Sequence, residues 1–340
     1  MAISNDILSS TLRILLDEEV DNLYKAVPLL DRMREQGGVE TYDGGQKLDV
    51  PLILEEHSSI TQLSSGYEPV NLAVKDALRV GSYNWCDFVA PIVITRKEEL
   101  SNRGERAIIN IAEARMKSVM GLLKREVEKQ LVANSSTILT ELNTFNGVTT
   151  GAGSATGFFE DAAFGSQSNV VGGIDKGTFG TYNNQFQDFA GDLTTGMISN
   201  LTDLYVQCQI NTPDGSAPDL IVCSADFFRN YKNALFAQEF YVDNKSEING
   251  GRLALSFAGA MLYVDPFLPA NGDGTGADDI HAYMLNTKFI KLGFDSDAQF
   301  EMEDFEHISG YASRSANVIT RLQAYVQHLG SQGLITLGAP

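Results

Sequence analysis

The strongest periodic signal in the chain lies between residues 101 and 134. Ile109, Ala112, Met116, Val119, Leu123, Val127 and Leu131 follow one another at steps of three or four. That spacing predicts one amphipathic helix about 45 Å long. Ser101 or Asn102 can cap its start. The opposite face carries Arg106, Glu113, Lys117, Lys124, Glu128 and Lys129, and no proline occurs between Pro91 and Pro213.

The segments before this helix are of a different kind. Residues 3–35 predict amphipathic helix in one or two pieces, with Ile7, Leu8, Leu12, Leu15, Leu16, Leu23 and Val27 on one side and Pro28 as a break or restart. Lys47 to Glu56 alternates strictly through Leu48, Val50, Leu52 and Leu54, which predicts a strand. His57 to Gly66 is polar, as a loop tip is, and Ala77 to Tyr83 and Phe88 to Thr95 return as strand. The result is a long two-stranded arm. A lone hairpin is marginal in water, so the arm needs something to lie across. The N-terminal helix likewise has too little core to stand alone.

After the helix, residues 147–180 hold nine glycines among Ser, Thr and Asn, the composition of an irregular, mobile loop. Phe186, Phe189, Leu193, Met197, Leu201, Leu204 and Cys208 predict a helix over 186–211. From 218 the pattern is α/β. Asp219 to Cys223 is a short buried strand, and Ser224 can cap a helix from Ala225 to Phe236. Strands are predicted at Leu253 to Val264, Ala282 to Phe294, Gln299 to His307, Asn317 to Gln327 and Leu334 to Leu337.

The composition excludes several functions. The 340 residues carry 25 basic and 44 acidic side chains, a net charge of −19, which argues against general nucleic-acid binding. Residues 135–228 hold a single basic residue, Lys176, against ten acidic ones. No apolar run is long enough to span a bilayer, and Met1 to Asp6 does not begin a secretion signal. Cys86, Cys208 and Cys223 are scattered and odd in number, so neither a disulfide framework nor a zinc site is expected.

No catalytic constellation emerges. Gly151, Gly153 and Gly157 form a glycine pattern, but a helix precedes it and no strand leads in, so a nucleotide cradle is not expected. Asn271 to Asp279 resembles a calcium loop, yet Thr275 and Ala282 occupy ligand positions, and a solvated turn is the better reading. His57, His281, His307 and His328 show no metal spacing. Cys86 beside Trp85 reads as a packed strand cysteine. The carboxylates Asp295, Asp297, Glu301, Glu303, Asp304 and Glu306 read first as a solvated face.

What stands out is the order of elements: helical arm, long hairpin arm, very long helix, then a compact α/β region. This order resembles the major capsid proteins of tailed bacteriophages, an α+β, HK97-like capsid fold. Leu253-Ala-Leu-Ser-Phe-Ala-Gly-Ala-Met-Leu-Tyr-Val-Asp-Pro-Phe-Leu-Pro269 is the most specific local match, followed by Ala282-Tyr-Met-Leu-Asn-Thr-Lys-Phe-Ile-Lys-Leu-Gly293. The resemblance implies an N-terminal arm at 1–35 and an extended hairpin, or E-loop, with flanking P-domain strands at 36–98. It implies a P-domain spine helix with the glycine-rich loop at 99–185, an A-domain at 186–300, and returning C-terminal strands at 301–340.

It further implies a non-enzymatic shell subunit without cofactors. Such a subunit assembles into pentamers and hexamers of an icosahedral head around double-stranded DNA, which this acidic chain would contact weakly. Implied partners are further copies of the chain, a separate scaffolding protein, a portal and a decoration protein, with no membrane. The location is the virion, with assembly in the host cytoplasm. Lys47 and Lys75 match no crosslinking motif. The expected contacts with neighbouring subunits are Ile7, Leu8, Leu12 and Leu15 in the arm and His57, Ser59, Ile60, Gln62, Leu63 and Ser65 at the hairpin tip. Two other readings are an encapsulin-like nanocompartment shell and a nucleotide-using α/β enzyme.

Overall fold

A computed structural model describes residues 28–55, 60, 62, 64, 66, 77–101, 105–132, 157–160, 162–188, 196–237, 255–268 and 281–336. Most of the expected N-terminal helix lies outside these residues. Its described part is α1 (Pro28–Glu35), with Pro28 at the first position, where a missing N–H removes no helical bond. The short β1 (Val39–Tyr42) follows.

The period-2 reading of the arm holds in β2 (Lys47–Ile53), which pairs antiparallel with β3 (Leu78–Asn84) from Lys47↔Asn84 to Ile53↔Leu78. Leu48, Val50 and Leu52 are buried, and the residues between them are exposed. The next strand, β4 (Cys86–Thr95), was expected in the same arm but turns away after Trp85. Its own inward residues, Ile92 and Ile94, are buried, and Ile92 joins a cluster with Leu123 of the long helix and Val318. Two apolar faces pointing at different partners separate β3 from β4.

A capping box opens the next helix. The Glu98 N–H donates to Thr95 Oγ1 at 3.4 Å, and the Thr95 N–H donates to Glu98 Oε2 at 3.0 Å. Ser101 therefore ends α2 (Arg96–Ser101) rather than capping the long helix, and Asn102 is outside the described residues. The long helix, α3 (Glu105–Val132), has 28 residues, about 42 Å. Leu123, Val127 and Leu131 are buried, as their spacing requires.

Two six-stranded sheets carry the remainder. Along the chain after α3 come the two-residue strands β5 (Val170–Val171) and β6 (Ile174–Asp175), then β7 (Gln185–Asp188) and α4 (Met197–Ile210). Of the expected helix over 186–211, residues 186–188 are strand, 197–210 are helix, and 189–195 lie outside the described residues. Phe186 serves β7, which lies parallel to the last strand, and the helix begins only after Gly196 at its N-cap. Next come β8 (Leu220–Cys223) and α5 (Ala225–Ala237), where Ser224 Oγ accepts the Phe227 N–H at 3.2 Å, as its position before the helix predicts.

Leu253 to Val264 folds back on itself at Ala258-Gly259 to give β9 (Leu255–Phe257) and β10 (Ala260–Val264). Ala282 to Phe294 also divides, into β11 (His281–Leu285) and β12 (Ile290–Asp295), which lie in different sheets. Polar bonds from distant residues make this break. Thr287 donates through its N–H and its hydroxyl to Asp219 at 2.8 and 2.7 Å. The Asn286 N–H donates to Gln332 Oε1 at 2.9 Å, and Gln332 Nε2 donates back to the Asn286 carbonyl at 3.0 Å. The chain ends in β13 (Glu301–Met302), β14 (Glu306–His307), β15 (Ser313–Val326) and β16 (Gly333–Thr336).

The first sheet is built on β15. One edge pairs with β4 from Cys86↔Leu322 to Thr95↔Ser313; the other pairs with β12, β13 and β14, and β1 adds beyond β12. The second sheet runs β7-β16-β11-β8-β10-β9. Its central strands are buried on both faces, hence the continuous apolar run Leu220 to Cys223. Leu201, Leu204 and Cys208 of α4 and Phe227 and Tyr231 of α5 cover one face through Ile221, Cys223, Ala282, Met284 and Ile335. Leu220, Val222, Tyr283 and Leu334 join the other core, which reaches α1, α3 and the first sheet.

Candidate assembly surfaces

The β2–β3 hairpin has two unlike halves. Near the body, the outward pairs are Lys47↔Asn84 and Asp49↔Ser82, and the Ser82 hydroxyl donates to Asp49 at 2.5 Å. Farther out they are Pro51↔Val80 and Ile53↔Leu78. Paired residues of antiparallel strands point to the same side, so four apolar side chains share this face. Ile53 is 77% exposed, Leu78 60% and Val80 57%. The face opposite is already buried through Leu48, Val50, Leu52 and Tyr83. Covering such side chains is worth about 1.5–3 kcal/mol each, which makes this distal face a candidate contact.

Of the tip residues expected to touch a neighbour, Ile60 is 93% exposed and Gln62 is exposed. His57, Ser59, Leu63 and Ser65 lie outside the described residues, as do Ile7, Leu8, Leu12 and Leu15. Pro51, Ile53, Leu78 and Val80 were not among the expected contacts. The signal was present in β2, whose alternation puts Pro51 and Ile53, both apolar, at positions where a one-faced strand carries polar residues. Smaller exposed apolar groups are Val89 with Val93 on β4, and Val206 with Ile210 one turn apart on α4.

The described part of the glycine-rich stretch is not the mobile loop its composition predicts, and 147–156 lie outside the described residues. From 157 onward it is packed: Phe158, Phe159, Val171, Ile174 and Tyr182 are buried in the larger core. Lys176, the lone basic residue of 135–228, is wholly buried there. Its ammonium donates to the Phe158 carbonyl at 2.5 Å and reaches Asn184 Oδ1 at 3.4 Å and Gln167 Oε1 at 3.5 Å, with Glu160 Oε2 at 4.0 Å. The acceptors lie apart in the segment, at 158, 167 and 184, so one cation adds polar cross-links to the apolar packing.

Burial lowers the Lys176 amine to about 8, against 10.5 for an ordinary lysine, and Glu160 offsets part of this. Between those values the unfolded chain holds a proton that the folded chain has released. Stability gained from this group therefore grows as pH rises from 8 towards 10.5 and is absent below 8. The denaturation midpoint of the native chain, relative to that of Lys176→Met, is expected to rise between pH 8 and 10. A difference that stays constant over that range contradicts the assignment.

A second buried charge sits where α1 meets the long helix. Glu128 accepts the Leu29 and Leu30 N–H groups at 3.3 and 3.2 Å, at the positive end of α1. Burial, followed by the nearby Asp265 carboxylate, pushes its carboxyl well above the usual range. Glu98 shows the opposite effect: the Arg115 guanidinium at 2.6 Å and the Thr95 N–H bring it down to about 2. In the acidic run, Asp297, Glu301, Glu303, Asp304 and Glu306 are exposed as expected. Asp295 is buried instead, 3.3 Å from Arg321, which also holds Asp87 at 2.8 Å.

Cys86, Cys208 and Cys223 are buried thiols, and burial pushes Cys208 and Cys223 upward, away from reactivity. Among the described residues no group of His, Cys, Asp or Glu could hold a metal ion, and no helix is long and apolar enough to cross a membrane. Gly151, Gly153 and the 271–279 loop lie outside the described residues.

No protein-family profile and no curated protein matches the chain. Solved structures do. The capsid subunit of cyanophage A-1(L) aligns with a TM-score of 0.62 at 13% identity, covering 94% of this chain and 95% of its own. The capsid of the native GTA particle aligns at 0.56 and 11% identity, covering 95% and 94%. The capsid of Myoviridae phage XM1 aligns at 0.51 and 9% identity, covering 99% and 97%. At such identities the shared property is the fold, and the chain has the α+β, HK97-like architecture of these subunits.

Proposed function

We propose that this chain is the major capsid protein of a tailed bacteriophage, a structural subunit whose copies form the pentamers and hexamers of an icosahedral head. The observation that carries this reading is the hairpin: a projecting two-stranded element whose distal outward face, Pro51, Ile53, Leu78 and Val80, is apolar and uncovered among the described residues. Permanent shell interfaces are large and apolar, and a second subunit offers the cover this face lacks. Agreement of fold along nearly the whole chain with phage capsid subunits supports it.

In this reading the first sheet and α3 make the P-domain, the second sheet with α4 and α5 makes the A-domain, and β2–β3 is the E-loop. The expected contacts Ile7, Leu8, Leu12 and Leu15, and His57, Ser59, Ile60, Gln62, Leu63 and Ser65, extend the same interface at the arm and the hairpin tip. A separate scaffolding protein, a portal and a decoration protein complete the head. The net charge of −19 keeps packaged double-stranded DNA from adhering tightly. The subunit catalyses nothing, assembles in the host cytoplasm and resides in the virion.

Negative-stain electron microscopy with light scattering, on the chain alone and with its scaffolding partner, tests the proposal. Closed shells or capsomer rings are the expected result. A monomer or dimer in both preparations would refute it.

A further inference from the structure

We propose that residues 157–188 are a strap that fixes the angle of the β2–β3 hairpin against the body, with Lys176 as the pin that keeps the strap closed. The strap touches the hairpin at four described points along its length. At the first, the Ser82 N–H of β3 donates to the Gly172 carbonyl at 2.9 Å. At the second, the Thr181 hydroxyl donates to the Leu54 carbonyl, just past β2, at 2.5 Å. At the third, the Arg79 guanidinium lies 5.2 Å from the centre of the Phe179 ring. At the fourth, the Tyr83 and Tyr182 hydroxyls meet at 3.3 Å, and Tyr182 also donates to the Val326 carbonyl at the end of β15. Tyr182 thus ties the hairpin to the first sheet through the strap.

The strap's shape depends on contacts only glycine permits. β5 and β6 are joined by Gly172-Gly173, with φ of +59° and +79°, a two-residue turn of the kind that needs two left-handed residues. A Cβ on Gly172 would lie 2.6 Å from Cζ of the Tyr83 ring. The backbone of the turn therefore rests directly on the Tyr83 ring of the hairpin, with no side chain of the turn between them.

The other end of the strap is anchored. The Gln185 N–H donates to the Gln332 carbonyl at 2.8 Å, and β7 runs parallel to β16 in the second sheet. Between anchor and hairpin, Lys176 joins Gln167 and Asn184 in closing the segment on itself. Its ammonium gathers Phe158, Gln167 and Asn184, while Glu160 receives the Ser168 and Asn169 N–H groups at 3.1 Å. Removing the ammonium takes the 2.5 Å donor from the buried Phe158 carbonyl, while Gln167 Oε1 and Asn184 Oδ1 keep the Asn184 and Glu160 N–H groups, and the segment loosens from within around Phe158. The hairpin itself keeps its own ladder but loses the wall that sets its direction. The inference holds whatever the hairpin's outward face rests on.

Hydrogen exchange on the full-length chain, followed by mass spectrometry, tests this with two variants. In Lys176→Met and in Thr181→Val, protection of 47–53 and 78–84 is expected to fall about tenfold, the effect of one lost buried hydrogen bond. Protection of 313–326 and 333–336 is expected to stay as in the native chain. Unchanged hairpin protection in the folded variants would overturn the proposal. So would an equal loss of protection in 313–326, because that would make Lys176 a support of the whole core. A Lys176→Met chain that does not fold would likewise overturn the role of Lys176 as a pin, and Thr181→Val, which removes one hydroxyl without changing shape, then tests the strap on its own.

Discussion

Leu78→Asp combined with Val80→Asp is expected to leave a soluble, folded chain that forms no closed shells. Both side chains are more than half exposed, so the isolated subunit gains two solvated carboxylates and loses little packing. Once the face is covered, those carboxylates are desolvated without partners, at a cost of several kcal/mol each. The penalty recurs at every copy of the contact, so assembly fails as a whole rather than weakening by degrees. Sedimentation and electron microscopy read the shells, and far-ultraviolet circular dichroism reads the fold. Asp49→Ala on the polar half of the same hairpin is the control and should assemble normally. Shells of ordinary yield from the double variant would remove this face from the interface.

The second large effect is internal. Gly333 of β16 lies directly under α4: a Cβ there would stand 2.9 Å from Cys208 Sγ and 2.9 Å from Leu204 Cδ1. Gly333→Ala therefore overpacks the second sheet, at a cost of about 2 kcal/mol. Leu204→Ala, in a fully buried position, costs about 3 kcal/mol through lost burial and the cavity left behind. Together the added methyl occupies space the leucine vacated, and the pair is expected to cost at least about 1 kcal/mol less than the two singly. Urea denaturation of the four proteins measures this. Costs that add within about 0.5 kcal/mol would show that helix and strand do not meet at this point.

These two sites differ in how legible they were in sequence. The buried face of the hairpin, the long helix, β8 and the C-terminal strand announce themselves because each keeps one set of side chains in one environment, and a fixed period follows from that. The exposed distal face of β2 was readable as a departure from that period, two apolar residues out of phase with the buried set. The break between β11 and β12 was not. Nothing local stops the apolar run from Ala282 to Phe294; Asp219 and Gln332, distant in sequence, stop it through hydrogen bonds to Asn286 and Thr287. The glycine-rich segment misled for a related reason. Its described part is held by scattered buried residues, Phe158, Phe159, Val171 and Ile174, and by the buried Lys176, and composition assigns a lone lysine to solvent. Phe186 fitted a helical stripe by spacing alone, yet its parallel partner Leu334 is supplied by the far end of the chain.

The central place of β15 has a consequence for how the subunit is made. β4 emerges early in synthesis, but its whole register is matched to Ser313 through Leu322, which follow roughly two hundred residues later. Tyr182, which holds the hairpin base, is likewise bonded to Val326. Until that late strand leaves the ribosome, neither the first sheet nor the direction of the hairpin exists, and pairing so distant in sequence is slow to form. A chain that lacks this late strand therefore has no correctly aimed hairpin, and in the proposed shell any contact made through the hairpin waits for β15.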